Sequence, residues 1–371
     1  MKINHLPAPT WRWLKVNGTE TGYVAGIVPG EVSERIPEGV VRGEGTDKTP
    51  NGIPDEVRTG LGPEFDDALT AVPSVVYTIK PNEDNNRKLY QDITYTTISS
   101  PDDKGCVNRF AFNCEDGANA TVIQFMTGGG DGPVRAALSN KYYVGRGARL
   151  TLVQVQNLPE GSETYNDCGG TCEDGGTFRR IQIVLGGGRT YMGDFCDLRG
   201  TKSAYDCSVA YYLQGTHLLD MNYVANHQGR RSESNINISG VMADSSSKIF
   251  RGTIDFHKGC ARSKGGELED VLLMDDGVIN RTVPLILCDE EDVEGSHGAS
   301  IGRPDDNLVL YLASRALDKD AIYHMMARAR VDRVAALIDD EETASRIDGI
   351  LESAAVPKEM PAESALSLKR H

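Results

Sequence analysis

Between Pro73 and Arg303 apolar and polar positions alternate in short runs rich in β-branched and aromatic residues, the pattern of strands bounded by turns. Val75–Ile79, Ile93–Ile98, Ala120–Met126, Arg149–Val155, Phe178–Leu185, Tyr205–Leu213, Leu218–Val224, Ser234–Val241, Lys248–Phe256, Val271–Met274 and Thr282–Leu287 carry it. After Leu150 no helical periodicity of useful length interrupts these runs. Their Gly, Asp and Ser corners, exemplified by Gly188, Gly215, Ser245 and Asp276, recur about every 27 to 31 residues, a period that predicts coils stacked on one another. A β-sandwich also offers many short strands. The length of the segment and the lack of Asn-Gly hairpin turns favour a parallel β-helix.

Both flanks have another texture. Asn17 to Ala71 is dense in Gly, Pro and Glu, so region 1–72 is expected to be an irregular arm, with one short helix near Pro63–Leu69. Stretches such as Pro50–Asp55 belong to it. Region 73–303 is the β-helix. In region 304–353, Asp318 can cap a helix carrying Ile322, Met325, Met326 and Ala329 at three- and four-residue spacings, and a further helix from Asp340 to Glu352 places Ile347, Ile350 and Leu351 on one side. Pro357 and Pro361 then open a polar tail, 354–371, expected to be mobile.

The 371 residues suffice for a sizeable core. Acids outnumber bases 54 to 39, for a formal charge of -15, which argues against a nucleic-acid surface because phosphates are neutralised by concentrated Lys and Arg. No stretch approaches the roughly 20 apolar residues of a membrane span, and the N-terminus lacks a leader pattern. A cytoplasmic location is therefore expected. There the eight cysteines are more readily thiols than disulfides, and Cys106, Cys114, Cys196, Cys207, Cys260 and Cys288 lie singly in or beside strand-like runs, where they pack as small hydrophobes.

One stretch joins the strand-rich region to the helical one: Cys288 to Arg303, with an acidic run followed by His297 between Ser296 and Gly298. Together with Phe250–Ile254, Gly259–Ala261, Val271–Met274 and Leu310–Arg315, its segment Glu291–Arg303 resembles the SufB/SufD family of iron-sulfur cluster assembly proteins. Upstream the likeness is one of texture, although Leu6-Pro7 followed by Trp11–Lys15 looks like the opening of SufD-type chains. The arm differs from the long helical N-terminal domain of many members.

The resemblance implies a right-handed parallel β-helix followed by a small helical domain, acting without turnover of its own as a scaffold on which a transient iron-sulfur cluster is built. It also implies two partners: the ATPase SufC, docked by the helical domain, and SufB. Where SufB-type chains carry the cysteine that accepts sulfur, this one has Glu269, and where they carry His-Glu it has His297-Gly298. Both differences point to the SufD type. A reduced flavin in the assembled complex is left open by the resemblance.

Iron-sulfur centres are held mostly by Cys and sometimes by His. In the SufD-type motif the Ser-His-Gly histidine faces the SufB partner, which maps to His297 as a ligand of the shared nascent cluster. Gly295, Ser296 and Gly298 around it form the expected partner edge; Gly295 stands where many SufD chains have a cysteine. Cys168 and Cys172 form a C-x3-C pair within what reads as a glycine-rich loop, and a metal role for them needs further ligands that do not follow at finger spacing. His217 and His227 read as structural. Gly128–Gly132 and Gly186–Gly188 lack the Lys-Ser or Lys-Thr of a Walker loop, so ATP is expected on another subunit. For SufC, the expected docking surface is Ile322, Met325 and Met326 on an amphipathic helix.

Two other readings stay open at this level. A SufB-like homodimer would hold the cluster with its own cysteines. A β-helix carbohydrate lyase belongs to a different class, and such enzymes are generally exported.

Overall fold

The computed structural model of the chain describes residues 1–10, 12–22, 26, 28–45, 57–81, 86–100 and 103–355. The apolar runs of the middle region form strands that alternate between two nine-stranded sheets, each strand lying parallel to the next but one in sequence. Arg149 stands opposite Thr177, Thr177 opposite Ala204, and Ala204 opposite Glu233, so one coil has the length read from the corners. The chain is a β-solenoid. The parallel ladder excludes the sandwich, whose strands run antiparallel.

Alternate residues of every strand point inward, because side chains change face at each step. Leu150, Leu152, Phe178, Tyr205, Val209, Met221, Tyr223, Ile236 and Ile238 thereby build one continuous apolar interior. A polar seam runs through it. Gln124 and Gln182 flank Gln154 in neighbouring coils, with Gln154 donating to Gln124 at 2.8 Å and Gln182 donating to Gln154 at 3.0 Å. Repetition from coil to coil is what lets buried amides satisfy one another.

The arm is more regular than its Gly and Pro content predicts. Glu31–Arg35 pairs antiparallel with Arg87–Tyr95, and Val40–Gly45 pairs antiparallel with Ser74–Ile79, so both sheets are covered at their N-terminal edge. Helix α1, Pro63–Ala68, falls where the sequence places it. From it and its flanks Leu61, Phe65, Leu69 and Val72 cover the outer face of one sheet at Val107, Ala137, Tyr165 and Tyr191. Trp11, Pro50–Asp55 and the tail from residue 356 lie outside the described residues.

Helices α2 (Asp306–Ser314), α3 (Lys319–Ala335) and α4 (Glu341–Ala355) follow the solenoid. Asp305 and Asp318 cap the first two through their side chains, and Asp340 accepts from the Thr343 amide at 2.9 Å. Val331, Val334, Ile338, Ile347 and Leu351 pack on the outer face of the second sheet, at Ile123, Phe125, Val153, Val155, Ile181 and Ile183. Ion pairs from Lys88 to Asp340 at 2.8 Å and from Arg346 to Asp92 at 2.6 Å fix the register of the helices on that face. None of the helices among the described residues is long and apolar enough to cross a membrane.

Candidate functional site

The two ends of the solenoid differ. At the C-terminal end the strands Ile279–Cys288 and Val293–Gly302 are the last of their sheets, and neither has an outer partner among the described residues. The acidic run Asp289–Asp292 connects them. Its carboxylates serve the turn: Glu290 accepts from the Gly259 amide at 2.9 Å, and Asp292 lies 3.6 Å from Arg262.

His297 is exposed in the middle of the terminal strand, where its neighbour in register is Glu267 of the preceding coil. Orientation along this strand follows from Gly295. A Cβ on Gly295 would meet the Phe256 ring at 3.1 Å and Ile286 at 3.2 Å, both interior residues. Positions 295, 297 and 299 therefore face the interior, and His297 looks onto the uncovered end of the core. Gly298 faces outward, with a Cβ there at 3.4 Å from Leu268.

Beneath His297 the interior changes character. Ile236 and Ile238 are followed one coil later, in register, by Glu267 and Glu269. Glu269 is fully enclosed, ion-paired with Lys248 across the core and accepting from the Thr282 hydroxyl at 2.6 Å. Burial lowers the pKa of Lys248, opposed by Glu269. Glu267 is 6% exposed and has no hydrogen-bond partner among the described residues. Its carboxyl is pushed up to about 7 by burial first and then by the neighbouring Glu269, opposed by Lys248. Gly252 makes room for it, since a Cβ there would lie 1.9 Å from Glu267 Oε2.

The cysteine pair is placed differently from the sequence expectation. Cys168 and Cys172 lie in the strand Glu163–Cys172, not in a loop, and both are fully buried. The intervening glycines mark close approach. A Cβ on Gly170 would sit 2.2 Å from the Tyr142 ring, and one on Gly169 would sit 2.0 Å from the Arg58 carbonyl of the arm. Burial, aided by Asp194, holds the Cys168 thiol well above its ordinary pKa, so it is protonated at neutral pH. The sulfurs of Cys172 and Cys196 lie 3.9 Å apart. Three intervening strands separate the pair's strand from the terminal strand of its sheet. Among the described residues no three His, Cys, Asp or Glu side chains converge as a metal cage. Seven cysteines are buried, and Cys288 alone is exposed among the eight.

His227 is enclosed, with its two ring nitrogens at 2.7 Å from Ser232 Oγ and 2.8 Å from Ser234 Oγ. His217 pairs with Glu160 at 2.7 Å. On α3 the expected docking residues divide. Ile322 is buried, Met326 packs partly against Val241, Ala243 and Met274, and Met325 is 42% exposed. On α2, Leu308, Leu310 and Tyr311 are exposed.

Glu267 and Lys248 escape a reading of the sequence alone. Glu267-Leu268-Glu269-Asp270 looks like a polar strand face turned to water, and only the in-register succession after Ile236 and Ile238 turns two of its carboxylates inward.

The family model for the SUF system FeS cluster assembly, SufBD core domain, matches residues 96–330. The iron-sulfur cluster assembly protein SufD of Bacillus subtilis is 30% identical over 179 residues, 47% of this chain and 40% of that protein. An iron-sulfur cluster assembly SufBD family protein of Methanothermobacter thermautotrophicus is 26% identical over 205 residues, 51% of this chain and 46% of that protein. SufD of Escherichia coli is 28% identical over 101 residues, 27% of this chain and 24% of that protein. The chain thus spans less than half the length of these relatives.

Proposed function

Since the matched domain covers more than half of its length, the chain belongs to the SUF-system SufBD core family, and from this premise we propose that it is a SufD-type scaffold subunit, pairing with SufB and docking the ATPase SufC in the cytoplasm. The observation that carries the reading is Glu269. SufB-type chains, which this sequence resembles around that position, have there the sulfur-accepting cysteine. Here the position holds a carboxylate locked to Lys248 inside the core, with no thiol to offer.

The pairing with SufB is supported by the uncovered C-terminal end. Two strands without an outer partner among the described residues present rows of backbone N–H and C=O groups, which natural proteins cover or blunt. Ile279 and Ile301 on these strands, and Leu268 beside them, are half exposed. His297 lies on this edge and would offer its imidazole to a nascent cluster as cargo, completed by donors of the partner. Docking of SufC is supported by the exposed apolar side chains of α2 and by Met325. Because α3 and α4 rest on the outer face of the solenoid, movement of docked SufC subunits driven by ATP would strain the seam that the terminal strands form. The chain itself performs no turnover in this scheme.

The test is co-purification from the native cytoplasm. SufB and SufC recovered with the chain support the reading. A homodimer with SufC, holding a stable cluster that disappears with Cys168→Ala, would overturn it in favour of a self-sufficient scaffold.

A further inference from the structure

Burying a carboxyl without a partner is costly, and interiors avoid it unless the group is used. Glu269 is accounted for by Lys248 and Thr282. Glu267 is not. It stands one coil below the uncovered end, in a space that Gly252 leaves clear, and no donor satisfies it among the described residues. Its register neighbour is His297, on a strand about 4.8 Å away, with both positions facing the same interior side.

We propose that Glu267 and His297 together form a half-site for a divalent first-row transition ion, with one carboxylate oxygen and one imidazole nitrogen from this chain and the remaining positions open toward the end of the solenoid. The inference rests on the assignment of His297 above and adds a carboxylate to it. An imidazole with a carboxylate suits Fe2+, Mn2+ or Co2+, whereas a thiolate set would select softer ions. Two ligands from one chain leave room for solvent or for groups of a second chain across the terminal strand. They also fit the charge pattern of the last coils: one lysine, Lys248, pairs directly with Glu269 and attracts Glu267 at longer range, so two carboxyls share a single cation.

Co2+ serves as the probe, added to the full chain and followed by its visible absorption and by calorimetry. The parent chain is expected to bind one Co2+, and Glu267→Gln and His297→Ala are each expected to weaken binding by about tenfold or more, since even groups that only support a ligand contribute that much. Glu294→Gln removes an exposed carboxylate of the same strand, paired with Lys264 at 2.8 Å, and is expected to leave binding unchanged. The thermal midpoint of Glu267→Gln, measured alongside, should equal or exceed that of the parent, because the variant keeps the shape and removes a buried acid. Parent-like Co2+ affinity in Glu267→Gln overturns the proposal, as does an equal loss in Glu294→Gln or no binding by the parent. Loss in Glu267→Gln with none in His297→Ala overturns the paired site through its histidine. Recovery of SufB and SufC with Glu267→Gln tests the subunit assignment without the metal, so the two failures are distinguishable.

Discussion

Lys248 and Glu269, on facing sheets of the same coil, meet as an ion pair with neither side chain exposed to solvent. A buried pair of this kind gains little over an apolar replacement, but losing one member strands the other charge in a low-dielectric interior. Lys248→Met is therefore expected to cost about 3–5 kcal/mol, while the double change Lys248→Met with Glu269→Leu recovers most of it. Urea denaturation of the three proteins checks this. A single variant as stable as the parent would show that the pair is not enclosed. By the same logic Glu269→Cys, which installs the residue of SufB-type chains, takes from Lys248 its directly paired carboxylate and is expected to destabilise the chain.

His227 makes stability fall with acid. Its folded pKa is lowered to about 3, by burial first and then by the nearby His257, while the unfolded value stays near 6.5. Between these values the unfolded chain binds a proton that the folded chain refuses, so stability is full above about 6.5 and is lost as pH falls toward 3. From pH 7 to pH 5 the loss is about 2 kcal/mol. His227→Asn should start from a lower stability at pH 7 and show a flatter profile. An unchanged slope in urea midpoints would remove His227 as the cause.

Much of this fold was legible because a solenoid repeats itself. The corners at Gly188, Gly215, Ser245 and Asp276 reported the coil, and the β-branched runs reported its strands, as the register Thr177 to Ala204 to Glu233 bears out. Where the reading failed, glycine and charge carried two meanings. Gly169 and Gly170 signal a turn in isolation, yet here they make room for the arm and for Tyr142 within a strand. Glu31–Arg35 looks solvated because its alternate residues are, although its backbone pairs with Arg87–Tyr95. His297 was visible as a motif. Its neighbour Glu267 was not, because adjacency between coils is set by a register some thirty residues long that no local pattern encodes.

The terminal strands provide a direct test of pairing. Ile279 is 50% and Ile301 45% exposed, so placing lysine at both removes apolar area from the edge at little cost to the fold and adds the charge by which natural edges resist pairing. The double variant is expected to lose SufB on co-expression while keeping its thermal midpoint within about 2 °C. Light scattering of the purified species reads the outcome. An intact heterodimer would exclude this edge as the seam.

The docking surface for SufC can be tested more cleanly at one methionine than at the other. Met325 is exposed on α3, so Met325→Glu adds a charge to a face already in water and is expected to leave stability within about 0.5 kcal/mol. Met326 is packed in part against Val241, Ala243 and Met274, and Met326→Glu would bring a carboxylate to that contact, with an expected loss of about 1–3 kcal/mol before any partner is considered. Loss of SufC binding in Met326→Glu alone is thus no evidence for a contact. Loss in Met325→Glu and in Leu310→Glu, the latter on a side chain 70% exposed on α2, with unchanged thermal midpoints, is what docking on this helical face predicts. Since α3 and α4 are fixed to the sheet through Val331, Val334, Ile347 and Leu351, the same two variants should also uncouple ATP hydrolysis from any change at the terminal strands. Retained pull-down of SufC by both variants would move the contact off this face.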